Sequence, residues 1–316
     1  MTRWLRRNSW VVSLYVALAA LFAFTVALKP GYGPTDFEFL TLAVITIVLA
    51  AAAQTVVVIS GGIDLSVGPV MAFTSVCAAA LMAGTDDLGA VPVVAAVLAL
   101  GLGVGALNGL LVHWSGVPDI VVTLAMSFVW AGAALLVLDS PGGASAPWLM
   151  SLIDGSLLID WVPRALVVML LAIGLVWIPL RRSRLGLSMF AVGSDQLAAL
   201  RSGVDVARTK VAAYTIGGLL AAMGGVALTM KTGIGNPLPG PYTLDGIAAL
   251  VLGGVSLAGG RGTMAGPIAA AFILALIRID LVFLKVNPDV STVVQGVILV
   301  AVVMVGALVE LRRKRP

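Results

Sequence analysis

Apolar residues run along this chain in long blocks separated by short polar intervals. Blocks approaching the ~20 residues that a helix needs to cross a bilayer fall at 10–28, 40–60, 67–84, 91–112, 118–138, 163–180, 210–230, 243–258, 264–284 and 292–309. They predict about ten spanning helices, the eighth among the shortest. Two of the polar intervals are long. Residues 139–162 open with Pro and Gly and continue as "WLMSLIDGSLLIDW" (148–161), a stretch suited to lying along the membrane interface. Residues 181–209, "RRSRLGLSMFAVGSDQLAALRSGVDVART", are the one polar stretch large enough to dock a partner.

Composition strengthens this picture. Hydrophobic residues make up 60% of the chain and charged residues 11%, against about 25% charged in a soluble domain. Such a chain could not cover a soluble surface with polar groups, so the expected fold class is an all-α integral membrane protein, one transmembrane domain over 1–316. The first apolar run, about 19 residues, exceeds the usual 7–15-residue core of a signal peptide and reads as an uncleaved span.

Charge sets the expected topology. Cytoplasmic loops carry an excess of Lys and Arg. With both termini cytoplasmic, the inner intervals hold all but Lys29, Arg164, Lys231, Arg278 and Lys285 of the 19 basic residues. They hold Arg3, Arg6 and Arg7, the group from Arg181 to Lys210, Arg261, and Arg312 to Arg315. The outer intervals hold acids such as Asp86, Asp87 and Asp154. One miscounted span would scramble this division. Residues 139–162 then lie outside and 181–209 inside.

One interruption asks for a reason. "VVVISGGIDLSVGPV" (56–70) places Asp64 and Ser66 after Gly61-Gly62, although an Asp at the centre of a span costs about 2.5–3.5 kcal/mol. The glycines predict that the helix ends before Asp64. Two readings fit. Asp64 or Ser66 caps the next helix at the membrane edge, or the break lies at membrane depth and lines a cavity. The long spans on either side favour the edge. "VVISGGIDLS" (57–66) is echoed by "ALVLGGVSLA" (249–258), pairing Gly61 and Gly62 with Gly253 and Gly254 and predicting a two-half arrangement. Asp245 and Asp119, like Asp64, fall at span ends. "GLGVGALNGLL" (101–111) has Gly at 101, 105 and 109, a face for close helix packing.

Much chemistry is excluded. No G-x-x-x-x-G-K-[ST] motif occurs to cradle ATP phosphates. One cysteine, Cys77, and one histidine, His113 at a span end, exclude an internal disulfide, a Cys-cluster or His-pair metal site and a Ser/His/Asp triad. The chain is expected not to be an enzyme and to hold no cofactor or metal.

"VVISGGIDLSVG", "GALNGLLV" (105–112), "PDIVVTLAM" (118–126), "AVGSDQLAALRSGV" (191–204) and "YTLDGIAALVLGGVSLAGGRGTMAGP" (242–267) resemble, in order, the motifs of the permease subunits of ribose-type ABC importers, which carry simple sugars or autoinducer-2. The resemblance covers about 40–310. It implies ten spans in the bacterial inner membrane, a second permease copy, two cytoplasmic ATPases holding ATP and Mg, a periplasmic sugar-binding protein, and alternating-access import of a ribose-like pentose or related monosaccharide. In the coupling segment, Gln196 and Leu197 stand where the family usually has acids, while the small residues Ala198, Ala199 and Gly203 are retained. "SDQLAALRSG" also predicts a short helix capped by Ser194 or Asp195, fit to dock the ATPase.

Sugar hydroxyls need weakly polar partners along the pathway. Gln54, Asn108, Thr123 and Gln295 are the candidates, since each interrupts an apolar span; the alternative for each is a helix-to-helix hydrogen bond. The rival function is an ion-coupled secondary carrier of a small polar solute, which would hold ionisable groups at mid-membrane. Arg278 and Asp280 lie within a span but only about 9 and 6 Å from its outer end at 1.5 Å per residue, within reach of snorkelling outward. Trp148 and Trp161 read as interfacial anchors or docking contacts.

Overall fold

In the computed structural model, the described residues are 9–85 and 87–287, with positions 290, 293–294, 296–298, 300–301 and 304 beyond them. Their helices are α1 (Ser9–Leu28), α2 (Pro34–Ile59), α3 (Val67–Met82), α4 (Ala90–Ser115), α5 (Asp119–Val137), α6 (Pro147–Ser151), α7 (Arg164–Arg182), α8 (Arg184–Ser194), α9 (Gln196–Arg201), α10 (Val206–Thr232), α11 (Tyr242–Leu252) and α12 (Ala265–Phe283). Among the described residues there is no strand, and 7 helices are long and apolar enough to cross a membrane: α1, α2, α4, α5, α7, α10 and α12. α3 and α11 are apolar but shorter. The expected tenth span at 292–309 and the basic residues of both termini lie largely outside the described residues.

The helices form layers around α2. Its most apolar window is 89% buried, whereas that of α1 is 11% buried. Ala50 to Ala53 are wholly enclosed, because small side chains let neighbouring helices approach from every side. α10 and α3 complete this inner layer. α4 seats its glycine face on α10. A Cβ on Gly105 would stand 3.0 Å from Gly218 Cα, and one on Gly109 2.9 Å from Val211 Cα. α1, α4, α5 and α7 present broad apolar faces outward, including Val16, Phe128, Leu136 and Leu175.

The connections gather at two opposite ends. At one end, Gly260 N donates to Ile59 O at 3.0 Å, Trp10 Nε1 to Leu252 O at 2.9 Å and Tyr214 OH to Asp119 Oδ2 at 3.1 Å, joining the ends of α2 and α11 to each other, the start of α1 to α11, and α10 to the start of α5; Gly193 of α8 lies against Ile59 and Gly260 at the same end. At the other, Ala144 N donates to Ala79 O, Ser145 N to Gly233 O, Trp148 Nε1 to Asp87 O and Lys29 Nζ to Asp36. Residues 139–162 pack by one side, while Leu152, Leu157, Leu158, Ile159 and Trp161 stay exposed. They fold onto the ends of α3 and α10: Gly142 and Gly235 pair as an antiparallel bridge, and Ala146, Leu149 and Ile153 are buried. Trp161 is half exposed and leans on Phe37 at 6.4 Å.

α2 and α11 end in the same turn. Gly62 N donates to Val57 O and Gly61 N to Val58 O; Val255 N donates to Leu250 O and Gly254 N to Val251 O. Each is the paired 6→1 and 5→2 closure that places a left-handed residue after the helix. Those residues are Gly61, with φ +82°, and Gly254, with φ +79°. The echo read from the sequence is therefore one residue out of register: Gly61 corresponds to Gly254, not to Gly253. The eighth apolar block is also a shorter helix than expected, ending at Leu252 rather than at 258. At 11 residues it rises only about 16 Å, roughly half the ~30 Å hydrocarbon thickness.

Candidate functional site

The segment 60–66 climbs back into the bundle rather than turning at its rim. Gln54 Nε2 donates to Asp64 O at 2.6 Å, and Gln54 stands about 7.5 Å before the end of α2 at 1.5 Å per residue. Thr123 Oγ1 receives a bond from Leu65 N and donates to Ile63 O, both at 3.1 Å. Asn108 Nδ2, about 10 Å before the end of α4, donates to Ser66 Oγ at 2.8 Å, and Trp130 Nε1 donates to Asn108 Oδ1 at 3.1 Å. These bonds hold the non-helical backbone of 60–66 with side chains from three helices, an arrangement of the kind the second reading of the break describes.

Asp64 and Ser66 serve each other. Asp64 Oδ1 accepts Ser66 N at 2.8 Å and Ser66 Oγ at 2.6 Å. The Ser66 side chain makes no capping bond to α3. A first-turn N–H of α3 is met from across the bundle: Gly68 N donates to Thr243 Oγ1 at 2.8 Å, at the start of α11. Thr243→Val should leave that N–H buried and unpaired, lowering stability by about 1–3 kcal/mol. Thermal unfolding in detergent would read the loss, and an unchanged midpoint would contradict the pairing.

The start of α11 is the second break. Residues 233–241, "GIGNPLPGP", reach it without forming a helix. Gly246 lies against Ala50, with a would-be Cβ 3.1 Å from Ala50 C, so α11 begins more than about 14 Å from the end of α2. Two short helices, α3 and α11, thus start inside the bundle with their first turns touching. Asp245 does not cap α11. It is buried in the first turn, and Arg278 of α12 donates to its Oδ1. Arg278 does not snorkel outward, because it meets this carboxylate one helix away. Asp280, two residues on, is buried and faces Thr25 of α1.

A third group closes the break from below. Tyr214 OH donates to Ile63 O and to Asp119 Oδ2, each at 3.1 Å, and Lys210 Nζ lies 3.6 Å from the same Asp119 oxygen. Tyr214, Trp130, Lys210 and Thr243 were not legible as site residues. All four stand in apolar blocks as polar or polar-tipped side chains, a weak signal. Gln54, Asn108 and Thr123 meet at one segment; Gln295 lies outside the described residues. Gln54 Oε1 is buried without a partner.

The 181–209 segment forms α8 and α9. Asp195 stands at the N-cap of α9 and accepts Ala198 N at 2.9 Å. Ser194 instead donates to Phe190 O of its own helix. Ala198 is exposed, Ala199 is buried, and Gly203 takes the left-handed conformation, φ +83°, after α9. Among the described residues no group of three potential metal ligands occurs.

Apolar helices packed around an inner core broken by hydrogen-bonded polar segments make up an all-helical, multi-pass membrane protein among the described residues. Residues 36–303 match the family described as branched-chain amino acid transport system / permease component, and the chain belongs to it. It is similar to the ribose import permease protein RbsC of Escherichia coli K12, 31% identical over 92% of this chain and 91% of that one. It is also similar to RbsC of Bacillus subtilis, 34% identical over 81% and 80%, and to the fructose import permease protein FrcC of Rhizobium meliloti, 31% identical over 96% and 87%. These relatives place the chain with the ribose-type ABC importer permeases that its motifs resemble, as a multi-pass protein of the bacterial inner membrane. No solved structure matches it.

Proposed function

We propose that this chain is the permease subunit of an ATP-driven ABC importer that carries a small sugar, a ribose-like pentose or related monosaccharide, from periplasm to cytoplasm by alternating access. The observation that carries the reading is the set of relatives, import permeases for ribose and fructose matched over most of their length, on a chain without a phosphate-cradling motif. ATP and Mg bind two separate cytoplasmic ATPases, and a periplasmic sugar-binding protein delivers the substrate. A second permease copy, identical or related, completes the pore.

In this reading the chain crosses the membrane ten times with both termini cytoplasmic. The gathering of 60–66, 183–205 and 253–262 at one end supports it, because Arg181, Arg182, Arg184, Arg201, Arg208 and Arg261 then face the cytoplasm together. Gln54, Asn108, Thr123 and Gln295 act on the sugar pathway, the first three by holding the 60–66 break in place. α8 and α9 dock the ATPase through Asp195, Ala198, Ala199 and Gly203, with Ser194 at their junction.

Reconstitution in liposomes tests this. Uptake of labelled ribose should require the ATPase, the binding protein and ATP. Accumulation driven by a proton gradient in the permease alone would instead establish an ion-coupled carrier. Ala198→Trp should insert normally and lose ATPase binding, since a bulky side chain there blocks the exposed face of α9. Wild-type binding by that variant would remove α9 from the dock.

A further inference from the structure

Three distant pieces of chain meet backbone to backbone at the end of α8. A Cβ on Gly193 would collide with the carbonyl oxygen of Ile59 and stand 2.6 Å from Gly260 N. One on Gly260 would stand 2.6 Å from both Cα and N of Ser194. One on Gly259 would stand 2.7 Å from Gly193 O and 2.9 Å from Gly61 Cα. Gly260 N donates to Ile59 O at 3.0 Å, tying the loop after α11 to the end of α2. Gly61, Gly259 and Gly260 all have positive φ, +82°, +86° and +67°, so conformation disfavours side chains at all three, and space excludes them at Gly259 and Gly260. Gly193 is helical, and its need for glycine is purely the close approach.

We propose that Gly193 is the positioning residue through which α8 and α9 act on both breaks at once: the 60–66 segment after α2 and the 253–262 segment after α11. The inference rests on the assignment of α8 and α9 as the ATPase dock. Contacts without side chains between them have no rotamers to absorb a shift, so movement of α8 passes to its neighbours as a displacement of backbone. From Ile59 and Gly61 the displacement reaches Asp64, Leu65 and Ser66, which carry the bonds from Gln54, Thr123 and Asn108. From Gly259 and Gly260 it reaches the end of α11, whose first turn holds Thr243 and Asp245. One input thus reaches two short helices whose first turns touch. Lys210, Asp119 and Tyr214 hold Ile63 separately, on α10 and α5, and give the break something to move against.

Gly193→Ala tests the role in the assembled transporter. In complexes that assemble, sugar transported per ATP hydrolysed should fall about tenfold. A merely structural glycine would cost assembly and hydrolysis together. Gly174→Ala, where the added Cβ meets only the tip of Ile178 at 3.8 Å, should transport as wild type. Transport per ATP unchanged in Gly193→Ala would overturn the proposal. Hydrogen exchange in the unmutated complex gives a second reading that does not depend on the variant folding. Trapping the ATPase in its nucleotide-bound state should change protection in 59–62 and 259–262 together with 184–201. Docking on 184–201 with no response at both breaks would overturn the junction alone. An ATPase that leaves 184–201 unprotected would overturn the docking assignment, and the junction with it.

Discussion

Asp64→Ala is expected to abolish sugar uptake while leaving the chain in the membrane. The carboxyl accepts both the N–H and the hydroxyl of Ser66, and Ser66 in turn accepts Asn108, which accepts Trp130. Removing the first acceptor leaves a buried N–H with no water to turn to, a cost of about 1–3 kcal/mol, and frees a hydroxyl whose orientation sets the next bond. The segment 60–66 has no helix of its own to restrain it, so its shape depends on these bonds. Asp64→Asn separates two explanations. An amide oxygen accepts the same two bonds without charge. Uptake within a few-fold of wild type in Asp64→Asn would mean that the residue works as an acceptor. Equal loss in both variants would mean that ionisation itself is used, which favours ion coupling over ATP drive. Uptake by labelled ribose, with membrane insertion checked by fractionation, decides between them.

The spans were legible because a bilayer demands long apolar blocks, and blocks need no tertiary context to be seen. The polar interruptions at Gln54, Asn108 and Thr123 were legible for the same reason, but their common target was not. Nothing local tells Asn108 to reach back 42 positions to Ser66, or Thr243 to receive an N–H from 175 positions away. The eighth block concealed its true end because Val255, Leu257 and Ala258 stay apolar after the helix has stopped. Hydropathy does not register a turn closed by backbone bonds. Two adjacent glycines predict such a turn but not which of them takes positive φ. That is why the echo between the halves came out one residue off. The path of the chain after the turn was not legible either. Full-length neighbours place a turn at the rim only if the chain leaves the bundle there, and here an extended segment carries Asp64 back inside.

Losing either member of the Asp245–Arg278 pair should cost more than losing both. The pair joins α11 to α12, with side chains 12% and 29% exposed. Removing one member of a buried pair typically costs about 3–5 kcal/mol, because a charge is left without a partner. The partial exposure of Arg278 puts its removal of Asp245's shield, and the reverse, on unequal footings. In Asp245→Leu the freed guanidinium can extend toward the end of α12, about 8 Å away at 1.5 Å per residue, so the loss belongs at or below the low end of that range. In Arg278→Met the carboxylate stays in the first turn of α11, where its Oδ2 already lacks a partner, and the full loss is expected. Asp245→Leu/Arg278→Met removes both charges and should recover most of the stability. Thermal unfolding of the three variants in detergent measures the cycle, and Arg278→Met as stable as wild type would rule out the pair as a structural tie. The double variant then assigns its use. If it folds and imports sugar, the pair holds α11 to α12 and nothing more. If it folds and fails, the charges at the start of α11 meet the sugar itself.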